Sequence, residues 1–453
     1  MTETADFIVL GLGPGGEEVA ERLARAGLDV VAIDAELVGG ECPYWGCVPS
    51  KMMIRAAGLL EDGRRIDQMA GTATVSPDWS PVATRIRKEA TDDWNDKVAV
   101  DRLESKGARF VRGWGHLDGP GKVVVGDREF QARRGVVVNT GCRAWSPPIP
   151  GLEGLPYWTN REAIEATEAP SSLLVIGGGA IGVELAQAFS RFGTTVTVVE
   201  AGDRIVPLEE PEASELLQKV FEREGIRVVS SAKIASVATD DQGFVVDLAA
   251  DGKVTGEKLL VATGRRPDLK ALGAATVGID ESARSIPTDE HMRAGPDLWV
   301  IGDVTGKGAF THMSMYQAEV CLADILGGDF PAAEYRAVPR VTFTDPEIGS
   351  VGMTESDARK AGLSVRTSSY DVPDSARGWI HKIGNDGFVK LVLDDSRGVL
   401  VGATSVGPNG GEVLAMLTLA VHAEIPVTKL RDMIYAYPTF HRAIQPAVEH
   451  LFG

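Results

Sequence analysis

The chain has few cysteines, more acidic than basic residues and no long hydrophobic run. Four cysteines in 453 residues are too few for the disulfide framework that staples small secreted proteins. Lysine and arginine number 46 against 64 acidic residues, a net charge of -18, which leaves no basic surface for nucleic acid. No apolar stretch approaches transmembrane length, and the N-terminus lacks a signal-peptide pattern. We therefore expect a soluble cytoplasmic protein with neither a nucleic-acid nor a membrane partner.

Two of the cysteines, Cys42 and Cys47, lie close together within residues 39–51. In a reducing compartment such a pair indicates redox chemistry or half of a metal site. Zinc needs a second ligand pair, and Cys142 and Cys321 stand alone without nearby histidines, so we predict no metal site. Five residues of helix would separate the paired Cα atoms by about 7.5 Å, whereas a disulfide needs them within roughly 7 Å. If the two sulfurs bond, the segment between them is therefore not regular helix, and helix begins near Cys47.

That position would bias the chemistry of Cys47. The dipole at a helix N-terminus favours the thiolate over the thiol. Lys51 follows one turn later on the same helix face. The arrangement suits a redox-active thiol pair beside an electron carrier.

A dinucleotide-binding pattern opens the chain. A buried strand over residues 7–10 leads into Gly11, Gly13 and Gly16, then a helix to about Ala26 and a second strand ending at Asp34. The acid lies 23 residues after the first glycine (34 minus 11). The glycines allow a tight turn and close approach of a pyrophosphate to the helix N-terminus. The acid accepts a hydrogen bond from a ribose hydroxyl.

The same pattern recurs in the middle of the chain. A strand over residues 173–176 leads into Gly177, Gly179 and Gly182, then a helix and a strand ending at Glu200. The acid again lies 23 residues after the first glycine (200 minus 177). Two copies at one spacing imply two dinucleotide sites.

The remaining segments complete an α/β organisation. Residues 51–106 are predicted to be helical with a break near 71–81, and residues 109–139 to form short strands. Residues 298–303 form another buried strand with Asp303 at its C-terminal end, where α/β proteins bind ligands. From about Arg336 the pattern becomes α+β, which predicts a separate domain. The fold class is therefore α/β, with two Rossmann-like dinucleotide-binding domains and a C-terminal α+β domain.

Taken together, these motifs resemble the class I pyridine nucleotide-disulfide oxidoreductases, over essentially the whole chain. The resemblance implies FAD at the first glycine pattern and NAD(P) at the second. It implies an FAD-binding domain (1–143 and 267–335), an NAD(P)-binding domain (144–266) and an interface domain (336–453). It also implies a homodimer whose active site is shared across the interface, and an enzyme that passes electrons from NAD(P)H through FAD to a small-molecule acceptor.

The resemblance also assigns roles to individual residues. Cys47 would contact the flavin, and Cys42 would be the interchange thiol that faces substrate. Lys51 would lie near the flavin N5 edge, paired with Glu184; the alternative is a separate solvated charge on each helix. The remaining residues expected to bind the cofactors are Gly115, Gly141, Asp303, Thr311 and Gly264.

Cofactor choice follows from the acid of the second pattern. Glu200 would repel the 2′-phosphate of NADP while accepting the 2′-hydroxyl of NAD. Arg204 follows closely enough to soften that preference. We expect NAD, with NADP less favoured.

One part of the chain departs from the disulfide-reducing members of the family, which carry His-Pro-Thr-x-x-Glu near the C-terminus. Here Tyr437 takes the place of the histidine base and Arg442 that of the orienting glutamate. Tyrosine is a poor base at neutral pH, and guanidinium has no acceptor with which to orient one. His441 could substitute, since Pro438 suits the first position of a helix with Tyr437 as its cap. Alternatively, His441 is an ordinary surface or interface histidine.

Several functions remain open on these residues. With the usual base missing, the acceptor could be a quinone or dye, a metal ion or a specialised disulfide. Dihydrolipoamide dehydrogenase-like and mercuric reductase-like activities are alternatives. A transhydrogenase-like flavoenzyme with incidental cysteines is another, since soluble transhydrogenase shares the Tyr-Pro-Thr step but lacks the cysteine pair. A non-catalytic, flavin-bound redox sensor is the last.

Overall fold

A computed structural model describes residues 2–453. Within them, no helix is long and apolar enough to cross a membrane. In chain order the strands are β1 (Glu3–Leu10), β2 (Val30–Asp34), β3 (Arg109–Arg112), β4 (Gly115–Leu117), β5 (Lys122–Val125), β6 (Arg128–Val138), β7 (Arg143–Ala144), β8 (Ser172–Ile176), β9 (Thr195–Val199), β10 (Arg227–Val229), β11 (Ser236–Asp240), β12 (Gly243–Asp247), β13 (Lys253–Gly256), β14 (Lys258–Val261), β15 (Arg265–Arg266), β16 (Arg293–Gly295), β17 (Leu298–Val300), β18 (Pro339–Thr342), β19 (Glu347–Gly352), β20 (Val365–Asp371), β21 (Phe388–Asp394) and β22 (Val399–Gly407).

The α-helices are α1 (Pro14–Arg25), α2 (Glu41–Tyr44), α3 (Cys47–Arg65), α4 (Ser80–Arg85), α5 (Lys97–Ser105), α6 (Asn160–Glu165), α7 (Ala180–Arg191), α8 (Pro211–Arg223), α9 (Thr311–Leu326), α10 (Glu355–Lys360), α11 (Ala376–His381), α12 (Gly410–His422), α13 (Val427–Asp432) and α14 (Ile444–Glu449). A π-helical turn follows α4 at Ile86–Ala90, and a 3₁₀ turn precedes α14 at Phe440–Ala443. The predicted helical stretch is thus interrupted where its sequence is rich in glycine, proline and serine. Glycine and proline both disfavour helix interiors.

The chain forms two compact units. The first contains the chain up to Ser50, Thr84–Trp145 and Gly264–Tyr335. Its eight-stranded sheet has the order β16-β17-β6-β1-β2-β3, with β5 on β6 and β4 on β5. The pairs of β1 with β2 and β6, of β2 with β3 and of β6 with β17 are parallel. The carboxyl ends of β1, β6 and β17 therefore meet at one edge of the sheet.

Both faces of this sheet are covered, because side chains of β1 alternate between two apolar cores. Phe7 and Val9 pack in the core that includes α1 and α9. Ile8 and Leu10 pack in the other core, with residues of β4, β5 and β6. A period of two with both faces buried is typical of a central parallel strand.

The second unit contains Lys51–Ala83, Ser146–Thr263 and Arg336–Gly453. It has a parallel sheet in the order β10-β9-β8-β14, an antiparallel sheet of β11, β12 and β13, and a five-stranded antiparallel sheet in the order β18-β19-β22-β21-β20. Helix α12 packs on the five-stranded sheet through Leu414 and Leu417, which share a core with Val351 and Leu391. Two sheets with parallel central strands and a C-terminal α+β part confirm the predicted α/β fold class.

Candidate functional site

The first glycine turn is built by close backbone packing at the end of β1. Gly11 has φ +91, and a Cβ there would lie 2.4 Å from the carbonyl oxygen of Asn139. A Cβ on Gly16 would lie 2.1 Å from the carbonyl oxygen of Gly11. At Gly13 the nearest atom to a Cβ would be Asn139 Oδ1, 3.1 Å away. Any side chain at Gly11 or Gly16 would therefore displace the turn that aims the start of α1.

Asp34 anchors the same turn from the end of β2. Its carboxylate accepts hydrogen bonds from the backbone N–H groups of Leu12, at 2.6 Å, and Glu36, at 2.8 Å. Burial raises the pKa of Asp34 despite these bonds. A carboxylate offers about four lone-pair positions, so room remains to accept a ribose hydroxyl. The glycine cradle and this acid fit a dinucleotide.

Asn139 is a site residue that the sequence prediction missed. Its buried side chain accepts from the N–H of Gly16 at 2.9 Å and donates to the carbonyl of Ile301 at 3.0 Å and to Ser314 Oγ at 3.2 Å. Ser314 Oγ in turn accepts from the N–H of Gly15 at 3.2 Å. These bonds join the start of α1 and the ends of β6 and β17 to α9. A polar residue directly after the apolar end of β6 was the only local signal.

The residues expected to contact the flavin differ in how tightly they are packed. Asp303 begins a 3₁₀ turn after β17, and burial raises its pKa while the charge of Arg265 acts in the opposite direction. Gly115 packs tightly, since a Cβ there would lie 2.6 Å from Leu10 Cδ1. Gly141, with φ +64, and Gly264, with φ +115, have nothing within 4 Å of a Cβ position. These two glycines are needed for their backbone conformation and not for close packing.

The two cysteines lie on consecutive helices, and the longer of these begins at Cys47, as the sequence predicted. Cys42 belongs to the one-turn helix α2, and α3 begins at Cys47. Both are thiols, and Cys47 Sγ lies 3.4 Å from Thr311 Oγ1 at the start of α9. A hydrogen bond to Cys47 and, secondarily, burial raise the pKa of Cys42. These effects favour the thiol form of Cys42 over its thiolate.

The cysteine loop also touches the first glycine turn. A Cβ on Gly40, which has φ +69, would lie 2.9 Å from Gly13 Cα. The dinucleotide turn and the segment that leads into Cys42 therefore pack against each other within one unit.

A cavity of about 430 Å³ opens beside Cys42. Cys47 is not part of its wall. Among the residues expected to bind the first dinucleotide, it includes only Thr311. Its wall consists of Pro14, Glu17, Val38, Gly39, Cys42, Pro43, Tyr44, Ala90, Thr91, Asp92, Asn95, Val98, Ala99, Arg102 and Thr311.

The second glycine turn, in the other unit, repeats the geometry of the first. A Cβ would lie 2.4 Å from Ala262 O at Gly177 and 2.0 Å from Gly177 O at Gly182. At Gly179, which caps α7, a Cβ would have nothing within 4 Å, which leaves open space at the helix N-terminus. Glu200 accepts from the N–H groups of Gly178 and Gly202, both at 2.6 Å. This turn therefore also fits a pyrophosphate and a ribose.

Lys51 and Glu184, both in the second unit, form a salt bridge of 2.8 Å. The Glu184 side chain is 7% exposed, and its other oxygen accepts from the N–H of Phe343 at 2.8 Å. The Lys51 ammonium lies 4.5 Å from the centroid of the Phe343 ring. The alternative of two separate solvated charges was therefore wrong.

The C-terminal turn differs from the predicted one. Thr439 has extended backbone, φ -135 and ψ 158, and caps the 3₁₀ turn that begins at Phe440. The prediction that Pro438 begins a helix capped by Tyr437 was therefore wrong, because the extended residue interrupts it. Tyr437 is 69% exposed, with the Arg442 guanidinium 5.2 Å from its ring centroid.

His441 lies inside the 3₁₀ turn instead. Its ring stacks on that of Tyr435, with centroids 6.2 Å apart. No group of three or more His, Cys, Asp or Glu among residues 2–453 could hold a metal ion.

Comparison with known proteins adds the following. Residues 5–318 match the family described as pyridine nucleotide-disulphide oxidoreductase, and residues 338–448 match its dimerisation domain. The chain is 31% identical to dihydrolipoyl dehydrogenase of Zymomonas mobilis, over 100% of this chain and 99% of the relative. It is 30% identical to mercuric reductase of Acidithiobacillus ferrooxidans, over 97% of this chain and 81% of the relative. The copper(II) complex of the HOCl-induced flavoprotein disulfide reductase RclA from Escherichia coli shares the fold, with a TM-score of 0.87 at 23% identity, over 99% of this chain and 100% of that chain.

Proposed function

The chain belongs to the pyridine nucleotide-disulphide oxidoreductase family as an FAD-dependent enzyme, and from that premise we propose that electrons pass from NAD(P)H through FAD to a small acceptor, either directly or through Cys42 and Cys47. The observation that carries the proposal is that Cys42, and not Cys47, opens onto the cavity. The match to the dimerisation domain supports a homodimer. An active site shared across that dimer is part of the proposal.

The two glycine turns divide the cofactors in this proposal. FAD is held by residues 1–143 and 267–335 through Gly11, Gly13, Gly16 and Asp34, and the nicotinamide nucleotide by residues 144–266 through the second turn. When bound, FAD accepts a hydride from the reduced nicotinamide and can reduce a neighbouring disulfide. Residues 336–453 form the interface.

For a disulfide acceptor, the thiol pair does the exchange. Cys42 attacks one acceptor sulfur, a bond forms between the two sulfurs, and the other half of the acceptor leaves and takes up a proton. Cys47 then attacks the Cys42 sulfur, which restores the protein disulfide and releases the second thiol. Two electrons thus leave the dithiol for each acceptor disulfide reduced.

The proton in this exchange has no histidine to receive it at position 437. Tyr437 is exposed beside the Arg442 cation, and arginine accepts no hydrogen bond. The Cys42 thiol is hydrogen-bonded to Cys47 and to Thr311. We therefore favour quinones, dyes, metal ions or specialised disulfides as acceptors. His441 remains a candidate base in this proposal.

The nicotinamide preference belongs to the proposal as well. The Glu200 carboxylate is held beside the second glycine turn by two backbone N–H groups. A 2′-phosphate placed there would meet a fixed negative charge, which favours NADH. Arg204 softens this preference in the proposal, since it donates to the carbonyl of Pro207 at 3.0 Å and keeps further N–H groups for a phosphate.

Dihydrolipoamide dehydrogenase activity is the second candidate. It is favoured by the name and nearly full-length match of the Zymomonas mobilis relative. Mercuric reductase activity has the same kind of support from the Acidithiobacillus ferrooxidans relative, over a smaller share of that protein. The substitution at Tyr437 argues against the first of these, since a tyrosine cannot take a thiol proton efficiently at neutral pH.

An NADH-oxidation screen tests the proposal. Wild type, Cys42→Ser, Cys47→Ser and the control Cys142→Ser are each assayed with lipoamide, small disulfides, quinones and mercuric ion as acceptors. Burial raises the pKa of Cys142 to about 12, so its thiol stays protonated and the control should match wild type. We expect Cys42→Ser to lose thiol-dependent turnover. Lipoamide turnover exceeding that of every other acceptor would favour the second candidate. Full turnover in both Cys42→Ser and Cys47→Ser would indicate a transhydrogenase-like enzyme.

A further inference from the structure

The cavity at Cys42 has a mostly uncharged wall. Its apolar members are Pro14, Val38, Pro43, Ala90, Val98 and Ala99. Tyr44 adds a phenol, and burial raises its pKa, so it stays neutral at physiological pH. An acceptor reaching Cys42 through this space therefore meets a surface that favours uncharged groups.

Three groups that are charged at neutral pH belong to this wall: Glu17, Arg102 and Asp92. Two of them neutralise each other, because the Arg102 guanidinium forms a salt bridge with Glu17. Among residues 2–453, the structure gives the Asp92 carboxylate no salt bridge and no hydrogen-bond partner. The unbalanced charge in the wall is therefore the single negative charge of Asp92.

The position of Asp92 is fixed by an unusual backbone segment. After the π-helical turn Ile86–Ala90, Asp92, Asp93 and Trp94 have φ 47, 55 and 57. Thr91 anchors the segment to the π-helical turn, since its buried hydroxyl donates to the carbonyls of Ile86 at 3.1 Å and Arg87 at 3.2 Å. Backbone strain of this kind persists where the surrounding structure over-determines it, and it concentrates at functional sites.

The neighbouring aspartate provides the contrast. Asp93 forms a salt bridge with Lys88 and lies 3.8 Å from Arg87, so its charge is compensated. It is not part of the cavity wall. Asp92 and Asp93 therefore share a left-handed backbone but differ in their charge. The charge of Asp92 faces the cavity without a cation, whereas that of Asp93 is paired and lies outside the cavity wall.

We propose that Asp92 makes the Cys42 cavity select acceptors without negative charge, so that neutral and cationic acceptors are used in preference to anionic ones. This inference rests on the proposed function in that it takes Cys42 as the thiol that meets the acceptor. An unpaired carboxylate near the path repels an anion and attracts a cation, and the effect is screened by salt.

The first test does not depend on turnover. The reduced holoenzyme is treated with two methanethiosulfonate reagents of similar size, one carrying trimethylammonium and one carrying sulfonate. Label on Cys42 is quantified by fragment-ion mass spectrometry, and each rate is divided by that of the same reagent with free 2-mercaptoethanol. We expect the cation-to-anion ratio to fall about fivefold in Asp92→Asn at low salt, the size expected for one nearby exposed charge.

The matched control is Asp93→Asn, which removes the same charge one residue away. Asparagine tolerates left-handed backbone nearly as well as aspartate, so neither change should unfold the segment. We expect Asp93→Asn to change the ratio by less than about twofold, since its charge is already compensated. An unchanged ratio in Asp92→Asn, or an equal fall in both variants, would overturn the inference.

The second test uses turnover with three disulfides of similar length: cystamine, bis(2-hydroxyethyl) disulfide and 3,3′-dithiodipropionate. We expect kcat/KM to be lowest for the dianion in wild type and to rise for it alone in Asp92→Asn. If none of the three is reduced, disulfide reduction fails as the proposed function while the labelling ratio still decides the role of Asp92. If the dianion is the best of the three in wild type, the inference is wrong.

Discussion

At the scale of single residues, Cys42 is the group whose proton limits the proposed chemistry. Its hydrogen bond to Cys47 and its burial raise its pKa, and no histidine stands at position 437 to take the proton. The attacking species in thiol–disulfide exchange is the thiolate. Below the pKa of a thiol, its thiolate fraction rises about tenfold for each pH unit.

The rate of disulfide reduction should therefore rise with pH. We expect log kcat/KM for bis(2-hydroxyethyl) disulfide to increase with a slope near one from pH 6.5 to 8.5. A quinone measured in parallel reports turnover that needs no thiol attack and should show a flatter profile. A plateau for the disulfide above about pH 7 would instead point to a base of ordinary histidine pKa, with His441 as the first candidate.

The sequence could not predict the site residues whose roles depend on partners far away along the chain. The acid and glycines of each dinucleotide turn lie within 25 residues of one another, so their spacing alone indicates them. Asn139 acts on Gly16, Ile301 and Ser314, all more than a hundred residues away along the chain. Its role depends on the parallel pairing that brings β6 and β17 together, which no local pattern encodes.

At the scale of elements, the crossing from β1 to α1 depends on the missing side chain at Gly16. A Cβ there would lie 2.1 Å from the carbonyl oxygen of Gly11, a separation that real Cβ atoms essentially never show. The turn must therefore move if alanine is introduced. Overpacking of this kind costs about 1–3 kcal/mol.

Gly16→Ala should consequently weaken flavin binding by roughly 5- to 150-fold, if that strain is released on loss of the cofactor. The measurement is the fluorescence of free flavin against dilution of the purified holoenzyme. Gly58→Ala is the control, because Gly58 lies within α3 and a Cβ there would have nothing within 4 Å. Alanine at that position should retain flavin and stabilise the helix by about 0.5–1 kcal/mol. Equal flavin retention in both variants would contradict the role given to Gly16.

Elements bounded by strong local signals were predicted well, and an element that depends on one backbone angle was not. The segments β1–α1–β2 and β8–α7–β9 combine apolar runs with glycine turns, and both have the predicted type. The prediction of a helix start after Tyr437 was wrong because Pro438 is compatible with a helix start but does not require one. The extended conformation of Thr439 decided the outcome.

At the scale of the whole molecule, one charged cluster joins the three chain segments of the second unit. Arg65, Arg191 and Asp345 come one from each of these segments. Asp345 Oδ2 lies 3.0 Å from Arg65 Nη2 and 2.7 Å from Arg191 Nη2. Arg191 is 5% exposed and also pairs with Glu224 at 2.7 Å. The cluster therefore ties together segments that are far apart in sequence.

This cluster should make stability depend on acid pH. Burial acts to raise the pKa of Asp345, but Arg191 and Arg65 outweigh it and hold the pKa below its ordinary value. A carboxyl whose pKa is lowered by folding contributes stability above its unfolded pKa of about 4, and that contribution is lost as the pH falls through the folded value. Asp345→Asn should therefore lower the free energy of unfolding by about 2–4 kcal/mol at pH 7, with a smaller deficit below pH 4.

Urea unfolding followed by tryptophan fluorescence at pH 7, 5 and 3.5 measures this deficit. Asp395→Asn is the control, because Asp395 and its partner Arg366 are 41% and 49% exposed. An exposed pair of this kind contributes at most about 1 kcal/mol. A deficit for Asp345→Asn that stays constant from pH 7 to 3.5 would show that the carboxylate charge is not what the cluster uses.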